Sequence, residues 1–355
     1  MKYSTIPIEN RPPLNGHEYW LWRLMRTRVE ELPWIARRMV KANHLIKGYY
    51  DTPELWLANM DRAQTVAKNI RGQEYPPAIF VHGIMPRCGS NIIHDILEVQ
   101  PTVIGRGIGI SEFPILCNSR AMDAFYASAV SRHREVAENI SGMEFMSFLV
   151  SGWLRDIQLR IDEGNSALLK MPSVQHLDLF HGLFPRDKLV IVIRDGRDIV
   201  QSTLDTWKGA RQFLKSDIAL AREYAASAEV ISEYLSQAAH RVDDNVYLFR
   251  YEDYISNPYD SVRKLFNFLG LSTEDSLVRA AVNLPVRGAS SIKQDGHTTW
   301  DPVAKPKDFS SSAKWHTWGK RRRKRFAKAA NKALVNLGYE SSDEWVQIKN
   351  VEGAR

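Results

Sequence analysis

The stretch Ala78-Ile-Phe-Val-His-Gly-Ile-Met-Pro-Arg-Cys-Gly-Ser-Asn91 predicts a β-strand, a glycine turn and the start of a helix. Its first residues form a short apolar run, and Ile92, Ile93, Ile96 and Leu97 follow at helical spacing. A glycine turn between a strand and a helix directs backbone N–H groups toward an anion, at the positive end of the helix dipole. The stretch is therefore a candidate phosphate-binding loop, although a turn of this kind also serves purely structural roles.

The glycine spacing of this turn differs from that of the ATP-binding loop. In the ATP loop four residues separate two glycines, and a Lys and a Ser or Thr follow, the hydroxyl of the latter binding magnesium. Here five residues separate Gly83 from Gly89, and Ser90 and Asn91 occupy the place of that pair. We therefore expect a phosphate loop of another kind.

Composition indicates an ordinary globular protein that favours anionic ligands. The chain has 355 residues, 44% of them hydrophobic, with a net charge of +7 and a pI near 9.2. Two cysteines are too few for a disulfide framework or a four-cysteine zinc site. We expect a cytoplasmic protein, because no apolar run approaches the roughly 18 residues that span a bilayer and the first residues lack a signal-peptide pattern. The basic run at 320–325 fits either a nucleic-acid contact or, more simply, the solvated face of a helix.

The order of apolar segments predicts an α/β fold. Residues 1–75 are expected to form a helical, basic N-terminal extension that packs on the main domain or contacts a membrane surface peripherally. From residue 77 onward, strand-like runs at 78–81, 167–169, 189–193 and 246–249 alternate with helical patterns. This alternation predicts a three-layer α/β/α domain over 76–345 with a central parallel sheet, whose ligands bind beyond the carboxyl ends of the strands.

A second candidate anion site follows the third predicted strand, in Arg194-Asp-Gly-Arg-Asp-Ile-Val-Gln-Ser202. Arg194 leaves the strand end, and Ser202 lies about two turns into the next helix. The guanidinium and the hydroxyl can therefore converge on one phosphate, which suits the bidentate fork of arginine. The alternative is a surface ion-pair network among Arg194, Asp195, Arg197 and Asp198.

A third segment, Arg250-Tyr-Glu-Asp-Tyr-Ile-Ser-Asn-Pro258, follows the fourth predicted strand and leads to a helix ending Phe-Leu-Gly-Leu271. With these segments in this order, the chain resembles the PAPS-dependent sulfotransferases, a P-loop-like family related in fold to the nucleotide kinases (PAPS is 3′-phosphoadenosine 5′-phosphosulfate). Pro86-Arg-Cys-Gly-Ser-Asn91 is similar to the family's Pro-Arg/Lys-Ser-Gly-Thr-Thr loop, and Arg194 and Ser202 match its second motif.

The resemblance covers about residues 77–340 and implies PAPS as the co-substrate, with no metal required. It implies that the loop cradles the 5′-phosphosulfate, that Arg194 and Ser202 hold the 3′-phosphate, and that late segments close over the nucleotide. The residues it assigns to the nucleotide are Pro86, Arg87, Cys88, Gly89, Ser90, Asn91, Arg194, Ser202, Tyr251, Arg287, Ser291 and Lys314. Cys88, Ser90 and Asn91 depart from the family loop, so either the Asn91 amide replaces a hydroxyl or the loop binds PAPS more weakly.

Sulfuryl transfer needs positioned cations at the leaving phosphate oxygen and a base for the acceptor hydroxyl. The candidate cations are Arg87 in the loop and Lys170 at the end of the second predicted strand. In one branch of the family the base is a Glu after the first helix, which Glu112 matches. In another it is a His after the second strand, for which His176 is the candidate here.

The acceptor stays open between a carbohydrate, a lipid and a small molecule, and the oligomeric state is not defined by the sequence. Trp207, Trp300, Trp315 and Trp318 are candidates to stack on the acceptor, or are core residues. Two other functions stay open: a nucleotide-dependent phosphotransferase, and a basic nucleic-acid-binding or membrane-binding protein on a degenerate nucleotide fold. The sulfotransferase hypothesis predicts no nucleic-acid partner.

Overall fold

A parallel sheet forms the centre of the computed structural model, which describes residues 60–72, 75–110, 112–119, 122, 126, 139–207, 216–238, 245–294, 296–306 and 309–347. Its five strands lie in the order β2-β3-β1-β4-β5, and every neighbouring pair is parallel. The strands are β1 (Ile79–Gly83), β2 (Val103–Ile104), β3 (Ser166–Met171), β4 (Lys188–Ile193) and β5 (Val246–Arg250). The carboxyl ends of all five therefore meet at one edge of the sheet.

The two central strands are buried on both faces. Every residue of β1 is buried, as are all residues of β4 except the first. Such continuous apolar runs are typical of parallel sheets covered by helices on both sides. The four strands predicted from the sequence are confirmed within two residues at each end, and β2, with two residues, is too short to give a pattern.

Helices flank the sheet in the predicted three-layer α/β/α arrangement. Their bounds are α1 (Met60–Arg71), α2 (Ser90–Leu97), α3 (Gly142–Gln158), α4 (Phe180–Leu183), α5 (Gly196–Thr206), α6 (Asp217–Ala238), α7 (Tyr251–Ser256), α8 (Pro258–Leu269), α9 (Asp275–Val282) and α10 (Lys320–Asn336). A short hairpin of β6 (Lys293–Gln294) and β7 (His297–Thr298) lies between α9 and α10. Within the described residues, no helix has the length and apolar character needed to cross a membrane.

Helix α1 is fastened to the sheet by a buried ion pair. Arg71 donates two hydrogen bonds to Asp187, whose side chain is fully buried and also accepts from the Ala78 N–H at 2.7 Å. Asp187 stands directly before β4 and Ala78 directly before β1, so one carboxylate joins α1 to the starts of both central strands. Residues 1–59 of the predicted N-terminal extension lie outside the described residues, and the boundary at 75–76 stays a prediction.

The basic run at 320–325 forms the first turns of α10, as the helical interpretation predicted. Arg323 is buried and donates to the Trp318 carbonyl at 2.8 Å. Arg322 donates to Asp217 at 2.7 Å and stacks 4.1 Å from the centre of the Trp318 ring. Part of the run therefore holds α10 against α6 and the preceding turn.

Candidate active site

The loop between β1 and α2 has the backbone conformation of an anion cradle. Gly89, the N-cap directly before α2, is left-handed with φ 103°, and Arg87 is left-handed as well, with φ 77°. The Cys88 side chain is buried against Gly83, because a Cβ built on Gly83 would lie 2.4 Å from the Cys88 sulfur. Burial raises the pKa of the Cys88 thiol, so Cys88 is a neutral packing residue behind the loop. Its neighbours in the loop, Pro86, Arg87, Gly89, Ser90 and Asn91, line the cavity described below.

Gly89→Ala is expected to disable this loop. A left-handed φ is unfavourable for alanine, and a Cβ at this position would lie 2.5 Å from the Tyr251 ring. The affinity for PAP (3′,5′-adenosine bisphosphate), the nucleotide product that the sulfotransferase resemblance implies, should fall at least about tenfold, because the loop must shift to relieve the clash. Isothermal titration with PAP measures this. Gly164→Ala, a left-handed glycine with open space around it, is the control, and equal effects of the two variants would contradict the assignment of the loop.

Arg194 and Ser202 line the same cavity and are linked through Arg87; that they hold one phosphate stays a prediction. Arg194 is buried at the end of β4, donates to the Arg87 carbonyl at 2.8 Å and stacks 4.6 Å from the centre of the Tyr251 ring. Arg87 in turn donates from Nε to the Ser202 hydroxyl at 3.2 Å. Among the described residues the Arg194 Nε has no hydrogen-bond partner although it is buried. This unsatisfied donor is one that a phosphate oxygen would satisfy.

Two late segments complete this end of the site. Lys314 donates to the Ser290 hydroxyl at 3.1 Å, and Ser202 donates to the same hydroxyl at 3.3 Å. Tyr251 donates to the Ser311 hydroxyl at 2.8 Å. Burial, with Arg194 nearby, lowers the pKa of Lys314. Cationic and hydroxyl groups from four separate segments therefore surround one small volume beside Ser202.

The ion-pair alternative holds only in part: Arg197 pairs with Asp195, but both are buried rather than at the surface, and Asp198 binds backbone N–H groups instead. Arg197 pairs with Asp195 at 2.6 Å and lies 3.7 Å from the centre of the Trp315 ring. The buried Asp198 carboxylate accepts from the Ala313 and Trp315 N–H groups at 2.7 and 3.3 Å. These two side chains fix the turn that carries Lys314. Of the two arginines in this segment, Arg194 lines the cavity and Arg197 does not.

The second cluster joins β3 to the loop and to Glu112. The Lys170 ammonium donates to Asn91 Oδ1 at 2.9 Å and to Glu112 Oε1 at 3.1 Å. The Lys170 side chain is 12% exposed and that of Glu112 is 45% exposed. The Phe113 N–H also donates to the Lys170 carbonyl at 2.9 Å, which fixes the position of Glu112. Lys170, the candidate cation for the leaving phosphate oxygen, and Glu112, the candidate base, therefore lie in direct contact.

One cavity of about 460 Å³ connects the two clusters. Of the residues predicted from the sequence, those lining it are Pro86, Arg87, Gly89, Ser90, Asn91, Glu112, Lys170, Arg194, Ser202, Tyr251, Arg287 and Lys314. Burial, with Arg194 nearby, lowers the pKa of Arg87 to about 10, so its guanidinium stays charged at neutral pH. In the part of the chain that the structure describes, six cationic side chains line the cavity against two carboxylates.

Three predicted site residues lie outside the lining. Cys88 is buried behind the loop, and Ser291 is exposed while its neighbour Ser290 takes the position at the cavity. His176, a left-handed residue with φ 57°, does not line the cavity either. In a non-helical segment the direction of each side chain follows from the backbone, so the sequence could not distinguish Ser290 from Ser291.

Other residues at the cavity were not predicted as site residues. Asp95 lines it and forms an ion pair with Arg287 at 3.4 Å. Its signal in the sequence was available, because Asp95 stands one helical turn after Asn91 on α2.

Trp207 and Trp300 line the cavity, whereas Trp315 and Trp318 are buried in the core. The four candidate tryptophans thus divide into two at the site and two with a packing role.

Comparison with known proteins agrees with this geometry. A family model described as "Sulfotransferase family" matches residues 77–275, more than half of the chain. The chain belongs to the sulfotransferase family. The resemblance inferred from the loop, from Arg194 and Ser202 and from the Tyr-Glu-Asp segment is therefore confirmed, and so is the predicted fold class.

Relatives and solved structures share modest identity with this sulfotransferase. Protein-tyrosine sulfotransferase 1 of Danio rerio is 22% identical over 242 residues, 67% of this chain and 65% of that protein. Protein-tyrosine sulfotransferase 2 of Gallus gallus is 22% identical over 305 residues, 82% of this chain and 70% of that protein. The sulfotransferase domain from the curacin biosynthetic pathway has a TM-score of 0.46 at 17% identity, covering 76% of this chain and 99% of that domain. The chain thus spans about two thirds of the length of the curated relatives it matches.

Proposed function

We propose that this sulfotransferase moves a sulfuryl group from PAPS to an acceptor hydroxyl and releases PAP. The observation that carries the proposal is the cavity in which the anion cradle and Arg194 face one ligand volume and the Lys170–Glu112 pair lies at its side. The buried, unpartnered Arg194 Nε supports a phosphate at this position. The Ser202, Ser290 and Lys314 side chains would hold the same 3′-phosphate.

The proposed reaction uses groups that are already in contact. Glu112 takes the proton of the acceptor hydroxyl, and the acceptor oxygen attacks the sulfur in line with the leaving phosphate oxygen. One sulfur–oxygen bond forms to the acceptor and the bond from sulfur to the 5′-phosphate oxygen breaks. Lys170 and Arg87 stabilise the negative charge that develops on that phosphate oxygen.

We propose a phenolic hydroxyl as the first acceptor to test, because two relatives carry the name protein-tyrosine sulfotransferase. Trp207 and Trp300 at the cavity are suited to contact such a ring. Carbohydrate and lipid hydroxyls are the next classes, and peripheral membrane contact through the segment before residue 60 stays a prediction.

Thermal-shift titration tests the nucleotide assignment. We expect PAP to stabilise the protein in the presence of EDTA, because ligand binding to the folded state raises the free energy of unfolding. Stabilisation only by ATP with magnesium would instead indicate a phosphotransferase. The transfer itself is measured with ³⁵S-labelled PAPS and tyrosine peptides, simple phenols, glycans and lipids as acceptors.

Glu112→Gln is expected to lower kcat about 10²-fold or more, because general-base catalysis by a positioned carboxylate contributes on that scale. The Kd for PAP should change less than about threefold, because the amide keeps an acceptor oxygen for Lys170. Glu163→Gln, an exposed carboxylate in the turn before β3, is the control. Full activity of Glu112→Gln would rule out Glu112 as the base and leave His176 as the remaining candidate from the sequence.

A further inference from the structure

Asn91 contacts Lys170, the candidate cation for the leaving phosphate oxygen, from the side of the phosphate-binding loop. It stands in the first turn of α2, directly after the cradle, and its Oδ1 accepts from Lys170 at 2.9 Å. Lys170 stands on β3 and donates to Glu112 at 3.1 Å as well. The Lys170 ammonium thus lies between Asn91, next to the phosphate-binding loop, and Glu112, the candidate base.

The chemistry of the partners fixes which way the Asn91 amide faces. An ammonium has three donors and no acceptor, so the atom of the amide that faces Lys170 must be its oxygen. The planar amide then directs its NH₂ group away from Lys170. Asn91 lines the cavity together with Arg87, Gly89 and Ser90. A donor on this side chain therefore adds to the backbone donors of the cradle.

The groups around Lys170 leave Asn91 and Glu112 to orient its ammonium. His94, one turn along α2, is close enough to act on Lys170, but burial lowers its pKa to about 4. His94 is therefore neutral at physiological pH and does not repel the ammonium. Among the described residues, Lys170 donates to Asn91 and Glu112, and we assign its third N–H to the substrate. The direction of that third donor depends on both partners.

We propose that Asn91 is a positioning residue with two separable roles, its oxygen orienting the Lys170 ammonium for the leaving phosphate and its NH₂ group donating to the phosphosulfate. The inference rests on the proposed function and deepens it. It also gives a reason for the departure of this loop from the family pattern. The carboxamide reaches one bond farther than a threonine hydroxyl, and that reach spans the gap between α2 and β3.

A double-mutant cycle separates the two roles. Asn91→Leu, Lys170→Met and the double variant are loaded with saturating ³⁵S-labelled PAPS, and the single-turnover rate of sulfuryl transfer to the phenolic acceptor or to water is measured. Asn91→Leu should slow transfer about 10²-fold, the scale of a misplaced catalytic group. The double variant should be no slower than Lys170→Met alone, because the oxygen acts only through Lys170.

Affinity for PAP should behave differently in the same cycle. Loss of the NH₂ donor to a charged phosphate should raise the Kd about tenfold in both the wild-type and the Lys170→Met backgrounds. A purely structural role of Asn91 would give losses in rate that add to those of Lys170→Met, and that outcome would overturn the inference. Unchanged Kd values would overturn the second role.

Controls keep the cycle interpretable. Asn336→Leu removes an exposed amide outside the cavity and should leave both quantities within about twofold. Asn91→Ala, which suits the helix, replaces Asn91→Leu if the latter unfolds. A wild-type protein that neither binds PAP nor consumes PAPS would refute the proposed function itself. A wild-type protein that does both while the cycle is additive would refute only the role of Asn91.

Discussion

Arg194→Ala is expected to raise the Kd for PAP at least about 10²-fold. The guanidinium is buried and is linked through Arg87 to Ser202, and its Nε has no partner among the described residues. Each hydrogen bond to a charged group contributes about 1.5–3 kcal/mol. The loss of a two-bond contact with a phosphate is therefore enough to raise the Kd by about 10²-fold or more. Titration calorimetry with PAP in the absence of magnesium measures the change.

Arg194 also supports the loop, because it donates to the Arg87 and Ser311 carbonyls. Arg194→Lys therefore serves as a second variant that keeps the charge and loses the fork, with an expected intermediate Kd. Arg321→Ala removes one exposed cation from α10 and controls for net charge. If folded Arg194→Ala binds PAP as tightly as the wild type does, the 3′-phosphate assignment is wrong.

Asp187→Ala is expected to lower the free energy of unfolding by about 3–5 kcal/mol. The variant leaves the Arg71 guanidinium, whose side chain is 9% exposed, without its counter-ion, and removal of one partner of a buried pair costs this much. The Ala78 N–H loses its acceptor as well, at the point where β1 begins. Urea unfolding followed by far-UV circular dichroism gives the difference.

The exposed pair of Asp156 and Arg160 provides the matched comparison, because both side chains are 55% exposed. Asp156→Ala should cost less than about 1 kcal/mol, as exposed ion pairs do. The double variant Arg71→Met/Asp187→Leu should be more stable than Asp187→Ala, since no buried charge is left unpaired. Equal losses for Asp187→Ala and Asp156→Ala would show that the carboxylate does not fasten α1.

The sequence predicted the parts of the fold that depend on local pattern. The four strands and the helix that contains the basic run each carry an apolar pattern long enough to recognise. The cradle was predictable because glycine at position 89 meets a backbone requirement, here φ 103°. The Arg194–Ser202 pair was predictable because eight residues cover one strand end and two helical turns.

The parts that the sequence left open depend on contacts between distant segments. Asn91, Glu112 and Lys170 come together from three segments up to 79 residues apart. Neither this cluster nor the choice between Ser290 and Ser291 follows from any local period. The separation of Trp207 and Trp300 from the buried Trp315 and Trp318 is likewise a matter of tertiary packing.

The strand order has a consequence for how the protein acquires its site. Many residues of the site lie at or after the carboxyl ends of β1, β3, β4 and β5. Ile79 of β1 pairs with Leu168 on one side and with Lys188 on the other. Pairing across about 90 to 110 residues is slow to form during folding, because a long chain segment must first be closed. A partly folded chain therefore holds fragments of the cradle but no complete site. If the proposed function holds, the nucleotide binds only molecules whose sheet is complete and stabilises the folded state in proportion to its concentration.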